Sequence, residues 1–304
     1  MDNSKIEWTD ATWQPITGCT LVSEGCRNCY AATLAATRLK NHPSRKGLAR
    51  VNANGEAKFT GEVRLNEQWL DQPLRWRKPR MIFVCAHGDL FHEAVPDEWI
   101  DRVFAVMALA SQHTFQVLTK RPERARDYLA GRTIRPSTSN ELTRLAHIFD
   151  AADKVVAYGN WATFDLPLPN VWLGTSVEDQ ATADARIPHL LATPAAVRFV
   201  SAEPLLGWLD LTAIDMRGLW LNTLTGEMED RGAVQSGLDW VIVGGESGPK
   251  ARVWPDFENA ARSLRDQCQA ARVSFFMKQM AGQRKSSMPQ IPDDLLIREF
   301  PDAR

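Results

Sequence analysis

The sequence predicts an α/β fold, a partial or open TIM-like (β/α) barrel, from three observations. Short apolar runs of strand length alternate with amphipathic helical stretches along most of the chain. The strand runs are continuously apolar, which is the pattern of a parallel sheet covered on both faces. Polar residues gather where each run ends, at the edge where parallel sheets carry their sites. About seven strands in one series, with no glycine-rich dinucleotide fingerprint after the first, favour the barrel. A doubly wound sheet is the runner-up.

The elements follow in order. A short strand is expected at 12–16, before three cysteines, and an alanine-rich helix follows them from Ala31 to Leu39. Residues 41–62 are polar and rich in breakers and read as a long loop. Met81–Cys85 reads as a buried strand, and 97–110 as a helix led by Pro96. Thr114–Leu118 is the next strand, and 122–130 the next helix, with Pro122 in its first turn. A second breaker-rich region covers 131–139. Strand 171–174, helix 179–192 and strand 197–200 come next. A third loop region spans 211–236, where Thr225-Gly226 marks a small hairpin. Strand 240–243, helix 256–271 and strand 274–277 close the series.

The 304 residues are 44% hydrophobic and 24% charged, enough for one domain over 1–304 with loop insertions near 41–62, 131–165 and 211–236. No apolar run approaches the roughly 18 residues of a membrane span, so no membrane partner is expected. The N-terminus lacks a secretory pattern, and a cytoplasmic location with reduced thiols is expected. A net charge of −1 excludes a chain that is basic overall, but a nucleic-acid face needs only local charge. Eleven tryptophans read mainly as core and cleft lining, and such walls suit a planar substrate.

Three of the five cysteines, Cys19, Cys26 and Cys29, fall within eleven residues in the spacing C-x6-C-x2-C. Thiolates are soft ligands, suited to iron–sulfur clusters and to zinc. No fourth cysteine lies nearby. A 4Fe-4S cluster on three protein thiolates leaves one iron open. In radical S-adenosylmethionine enzymes that iron chelates the methionine amino and carboxylate groups, and one electron then cleaves the sulfonium to a 5′-deoxyadenosyl radical. A Cys3His zinc site with His42, and an ordinary loop with unligated thiols, are the alternatives. Cys85 and Cys268 read as buried small hydrophobes.

Longer blocks carry a resemblance. Trp13-x-Pro15-x-Thr17-Gly18-Cys19 and Ser23-x-Gly25-Cys26-x-x-Cys29-Tyr30-Ala31 open the series. Gly88-Asp89-Leu90-Phe91-His92, Leu118-Thr119-Lys120-Arg121-Pro122 and Trp172-Leu173-Gly174-Thr175-Ser176-Val177-Glu178 continue it. Ser201-x-Glu203-Pro204-Leu205-Leu206, Gly244-Gly245-Glu246-Ser247-Gly248 and Lys278-Gln279 complete it. Together these blocks, over about residues 5–280, resemble the phage-associated three-cysteine-motif family, which is radical-SAM-like. More distantly the chain is similar to spore photoproduct lyase, which repairs DNA. The resemblance implies a partial TIM barrel, a 4Fe-4S cluster on Cys19, Cys26 and Cys29, and S-adenosylmethionine as co-substrate. Two departures stand out. The first cysteine gap is six residues rather than the common three. Gly244-Gly245-Glu246 follows a late strand, so the usual Gly-Gly-Glu role does not transfer to it.

Roles for the strand-end residues follow. By position Asp89 is assigned to the methionine ammonium. Ser176 and Glu178 suit the ribose hydroxyls. Lys120 and Arg121 suit the S-adenosylmethionine carboxylate or a substrate phosphate. Glu203 and Glu246 are expected to face the mouth, holding an amine-bearing substrate or pairing with Lys120, Arg121 and Lys278. Gly244, Gly245 and Gly248 admit a phosphate or adenine to main-chain amides. Trp13 and Tyr30 are expected to shield the cluster. His87 and His92 are proton-donor candidates beside the plainer reading of core histidines.

Two functions compete. One is a radical S-adenosylmethionine enzyme that modifies or repairs nucleic acid or a nucleotide, served by an external electron donor. Its anion-binding strip would draw on Arg38, Lys40, Arg45, Lys46 and Arg50, and on Arg75, Arg77, Lys78 and Arg80. The other is a non-enzymatic, metal-stapled component of a phage or mobile element that binds DNA or a partner protein.

Overall fold

The structure is a computed structural model that describes residues 4–130, 148, 150–152, 154, 166–229, 232–233, 236–284, 286 and 288–302. In chain order its elements begin β1 (Ala11–Trp13), β2 (Ile16–Thr17), α1 (Tyr30–Ala36), β3 (Ala49–Val51), β4 (Ala57–Phe59), β5 (Arg64–Leu65) and α2 (Glu67–Leu70). They continue β6 (Met81–Val84), α3 (Asp97–Leu109), β7 (Thr114–Thr119), α4 (Pro122–Ala130), β8 (Val171–Ser176), α5 (Gln180–Leu191) and β9 (Val197–Ala202). Four short strands follow, β10 (Ile214–Asp215), β11 (Trp220–Asn222), β12 (Glu227–Met228) and β13 (Gly232–Ala233). The series ends with β14 (Trp240–Gly244), α6 (Phe257–Ala271) and β15 (Ser274–Gln279). Apart from residues 148, 150–152 and 154, the expected insertion at 131–165 lies outside the described residues, as does the breaker-rich region at 131–139.

The main sheet has seven strands in the order β1-β6-β7-β8-β9-β14-β15. Every pairing with a described register is parallel, for example Ala11↔Ile82, Met81↔Thr114, Phe199↔Trp240 and Trp240↔Ser274. Strand order follows chain order without reversal. A doubly wound sheet reverses its order at a switch point, so the sequential order is compatible with a partial TIM-like barrel instead. Among the described residues no helix is long and apolar enough to cross a membrane.

The chain divides into two compact units. The first comprises Met1–Leu21, Cys29–Leu173 and Thr193–Ala196. Its core is built on β6 and β7, where Ile82, Val84, Phe115 and Val117 are buried. Trp13 stands opposite Val84 on the neighbouring strand β1, its ring beside Phe115 and its indole N–H donated to Trp69 O at 2.8 Å. Helix α3 starts at Pro96 with Asp97 and Glu98 in its first turn, where the helix dipole favours carboxylates. It buries Ile100, Val103, Phe104 and Met107, an i, i+3, i+4, i+7 face.

The second unit comprises Val22–Asn28, Gly174–Ala192 and Val197–Arg304. All five residues of β14 are buried. Asp179 caps α5 through a reciprocal box with Thr182. Thr225-Gly226 forms the turn between antiparallel β11 and β12, as the sequence expects.

Several boundaries differ from expectation, among them the helix expected to reach Leu39, which ends at Ala36. The strand expected at 12–16 splits into β1 and β2, because Pro15 between them has no N–H for a ladder. The 41–62 loop contains an antiparallel ribbon, β3 with β4. Strands β7, β8, β9, β14 and β15 run one or two residues beyond their apolar runs, taking in Thr119, Ser176, Ser201 and Gln279. The ladder is made by the main chain and continues regardless of side-chain polarity.

Candidate functional site

In the first unit the cysteine loop is stitched to the end of β6. Gly18 N donates to His87 O at 3.2 Å, and Gly18 bridges Gly88. Gly18 sits at φ +100, and a Cβ there would lie 2.1 Å from Glu62 O, so only glycine fits. Beyond it, Cys19 Sγ accepts an N–H from Arg121 Nη1 at 3.6 Å. Burial pushes the Cys19 thiol up to about 12, and Asp89 adds to this, while Arg121 opposes it.

Arg121 is itself held on all sides. Its Nη1 pairs with Asp89 Oδ2 at 3.1 Å, its Nε with Glu93 Oε1 at 2.7 Å, and its Nη2 donates to Thr20 Oγ1. Asp89 accepts four hydrogen bonds. Oδ1 takes Phe91 N at 3.0 Å and Thr119 Oγ1 at 2.7 Å, and Oδ2 takes Lys120 N and Arg121 Nη1, each at 3.1 Å. A carboxylate offers about four lone-pair positions, so Asp89 is fully used in orienting Arg121 and its own loop. Lys120 is half-buried.

The two histidine candidates are both engaged. His92 Nδ1 accepts Ala94 N, which leaves the proton on Nε2, 3.0 Å from Thr20 Oγ1. Burial and then Arg121 hold His92 below the usual range. His87 Nδ1 lies 2.9 Å from Arg45 Nη2, and Arg45 can only donate. The His87 proton is therefore on Nε2. Burial, then Arg45, lowers its pKa to about 4. Tyr30 donates to Ala86 O at 2.6 Å and is 51% exposed, whereas Trp13 is wholly buried, so the expected cluster-shielding pair is a core residue and a surface residue. His42, the candidate fourth zinc ligand, has Nδ1 at 2.7 Å from Ser44 Oγ.

In the second unit, Glu178 and Glu246 hold the middle of the cysteine loop. Glu178 Oε1 accepts Ser23 Oγ at 3.0 Å, and Oε2 pairs with Arg186 at 3.0 Å. Gly25 packs so closely on Glu178 that a Cβ would lie 2.2 Å from Oε1. Glu246 accepts Asn28 Nδ2 at 3.2 Å and pairs with Arg252 at 2.7 Å. Burial pushes the Glu246 carboxyl up, but the bonds from Arg252 and Asn28 outweigh it and hold it below the usual range. Arg252 also donates to Glu24 O at 3.0 Å.

Ser176 is buried, and its carbonyl accepts Arg186 Nη1 at 2.8 Å. Glu203 pairs with Lys278, as one sequence alternative has it. Glu246 takes Arg252, not Lys120, Arg121 or Lys278. The amides of Gly245 and Gly248 donate to Gln279 O at 3.0 Å and Gly282 O at 3.1 Å. A Cβ on Gly245 would lie 2.2 Å from Ala281 N, and one on Gly244 3.2 Å from the Glu203 side chain. The close approach these glycines permit is to the chain's own segments.

Sequence reasoning missed Thr20, Glu93, Arg186 and Arg252, the partners that orient the predicted residues. Thr20 and Ser23 stand inside the cysteine loop and were open to notice. Arg186 and Arg252 carry no local signal.

Three thiols are the donor type that an iron–sulfur cluster or zinc takes. All three loop cysteines are outside disulfides and half-buried, and a guanidinium N–H already faces Cys19. Among the described residues no three His, Cys, Asp or Glu side chains are grouped so as to hold a metal ion. A family model described as "Protein of unknown function (DUF5131)" matches residues 3–299. No curated protein and no solved structure matches.

Proposed function

We propose that this chain, which belongs to the DUF5131 family of proteins of unknown function, is an iron–sulfur enzyme of the radical S-adenosylmethionine class that acts on nucleic acid or a nucleotide. Cys19, Cys26 and Cys29 would hold a 4Fe-4S cluster. When bound, such a cluster supplies the electron that cleaves the sulfonium of S-adenosylmethionine. That electron comes to it from an external donor.

One observation carries the reading. Three strand-end carboxylates chosen from sequence as site residues all bear on the cysteine segment. Asp89 acts through Arg121 on Cys19. Glu178 holds Ser23, and Glu246 holds Asn28, on either side of Cys26. Buried, multiply bonded carboxylates are costly to keep for packing alone. Here they orient the loop that carries the thiols. Arg121 would donate hydrogen bonds to cluster sulfur and raise its reduction potential. Ser176 and Lys120 remain ligand-binding candidates, and Glu203 pairs with Lys278.

The test is anaerobic reconstitution with iron and sulfide. The expected product is a brown protein with about four irons per chain that releases 5′-deoxyadenosine from S-adenosylmethionine under reductant. Cys19→Ala, Cys26→Ala and Cys29→Ala should each abolish the release. Zinc in place of iron, or iron without any release, overturns the enzymatic reading and leaves a metal-stapled binding module.

A further inference from the structure

The segment from Arg38 to Arg64 departs electrostatically from the rest of the molecule. It holds seven Lys and Arg against two Glu, in a chain whose net charge is −1. Elsewhere arginines are commonly paired with carboxylates, as in Arg102–Glu67, Arg124–Asp97, Arg186–Glu178 and Arg262–Asp294. In this segment Lys58 alone pairs, with Glu56 at 3.7 Å. Among the described residues no carboxylate lies within ion-pair distance of Arg38, Lys40, Arg45, Lys46, Arg50 or Arg64.

Two details sharpen the contrast. Arg45 is 5% exposed, yet its guanidinium bonds only neutral acceptors, His87 Nδ1 and Ser44 Oγ, with the Trp69 ring 5.8 Å away. Arg64 likewise spends its guanidinium on the carbonyls of Pro43 and Lys46. Among the described residues no carboxylate offsets their charges. In the β3–β4 ribbon Arg50 stands directly opposite Lys58. Like charges at opposed positions destabilise an antiparallel pair. Two cations set face to face, with five more on the same segment that have no carboxylate within ion-pair distance among the described residues, point to a polyanion.

The shape narrows the class. The ribbon is two-stranded, turns at Asn52–Gly55, and packs against α1, the helix that begins one residue after Cys29. The major groove of B-form DNA admits a two-stranded ribbon, whereas that of A-form RNA is too narrow. We propose that the β3–β4 ribbon with the Arg38–Gly47 segment is a docking surface for the phosphate backbone of duplex DNA. This deepens the nucleic-acid half of the function proposed above and rests on it. In the second basic cluster read from sequence, Arg75 is paired with Asp71.

The test is fluorescence anisotropy of the full chain with a labelled DNA duplex, a matched RNA duplex and phosphatidylserine vesicles, over a range of salt. If four of these cations reach phosphates, affinity for DNA should fall about 10²-fold between 50 and 200 mM salt. Arg50→Gln with Lys58→Gln should lower the slope of log K against log salt by about 2. Lys46→Gln with Arg50→Gln is the second variant and should do the same, and Arg126→Gln should leave the slope unchanged. The variants' far-UV circular dichroism should match the parent. Absence of salt-dependent DNA binding overturns the inference. So do parent-like binding by both double variants, RNA bound as tightly as DNA, and vesicles bound as tightly as DNA. The assay needs neither iron nor S-adenosylmethionine. A protein without the three loop thiols that still binds DNA supports this surface even if the cluster reading fails. One that cleaves S-adenosylmethionine but ignores DNA sinks this surface alone.

Discussion

Asp89→Asn should unsettle the first unit from the segment that follows β6, and the size of the effect can be worked from four hydrogen bonds. Asparagine can keep Oδ1 as acceptor for Phe91 N and Thr119 Oγ1. Its amide N–H groups would then face Lys120 N and Arg121 Nη1, donor against donor. The Asp89 and Arg121 side chains are each 6% exposed, so the variant leaves a buried guanidinium short of its main counter-charge. Breaking one side of such a pair costs about 3–5 kcal/mol. Glu93 still holds Arg121 Nε, but that carboxylate is 68% exposed and its share is screened. A net loss of about 2–4 kcal/mol follows. The assay is urea unfolding at pH 7 of the parent, Asp89→Asn, Arg121→Gln and the double variant. The double variant should lose less than the two singles added together, by about 1.5 kcal/mol or more. Glu93→Gln, on the exposed side, should cost under about 1 kcal/mol. A loss below about 0.5 kcal/mol for Asp89→Asn would show that Arg121 is not held as described.

His87 gives a pH prediction. Its folded pKa is lowered to about 4, so between the unfolded value of 6.5 and about 4 the unfolded chain binds more protons than the native one. Stability is therefore whole above pH 6.5 and falls as pH drops through that window, by up to about 3 kcal/mol. His87→Gln should flatten this part of the profile in thermal melts taken from pH 7.5 to 4, and an unchanged profile would refute the assignment. Gly25→Ala sets a methyl 2.2 Å from Glu178 Oε1, a side chain already fixed by Arg186 and Ser23. Overpacking of this kind costs about 1–3 kcal/mol, so the melting point should drop by several degrees. The same variant should take up less iron on reconstitution, and parent-like values for both would remove the claim that Glu178 braces the cysteine loop.

Strands and helices were legible in the sequence because burial writes a period into them. Runs such as Trp240–Val243 admit no other reading than a covered strand, and helix 122–130 agrees with the structure to the residue. The β3–β4 ribbon was not read, although Asn54-Gly55 between short strands is a hairpin signal. Its strands have three residues each, too few for a period to show. Asp89, Glu178 and Glu246, chosen from sequence, each hold a residue of the cysteine segment or its partner. Their partners were invisible, because Arg121 is 32 residues from Asp89 and Asn28 is 218 from Glu246. Such pairs are set by which strand ends the fold brings together, and local pattern carries no trace of that. The acidic residues therefore looked like ligand groups, where the structure shows carboxylates with cations already attached.

That pairing bears on what the molecule can recognise. A carboxylate with a bound guanidinium has little field left to offer a cationic ligand, and Asp89, Glu178, Glu203 and Glu246 each have a cation in place. An ammonium or sulfonium group would have to displace an arginine or lysine, or be met by dipoles instead. Cations are in the opposite position between Arg38 and Arg64, where most lack a counter-charge. An incoming polyanion would meet the exposed ones, Arg38, Lys40, Lys46 and Arg50, and displace only water and salt ions there. Among the described residues the uncompensated charge on this segment is thus positive, and on that the proposed duplex-DNA surface rests.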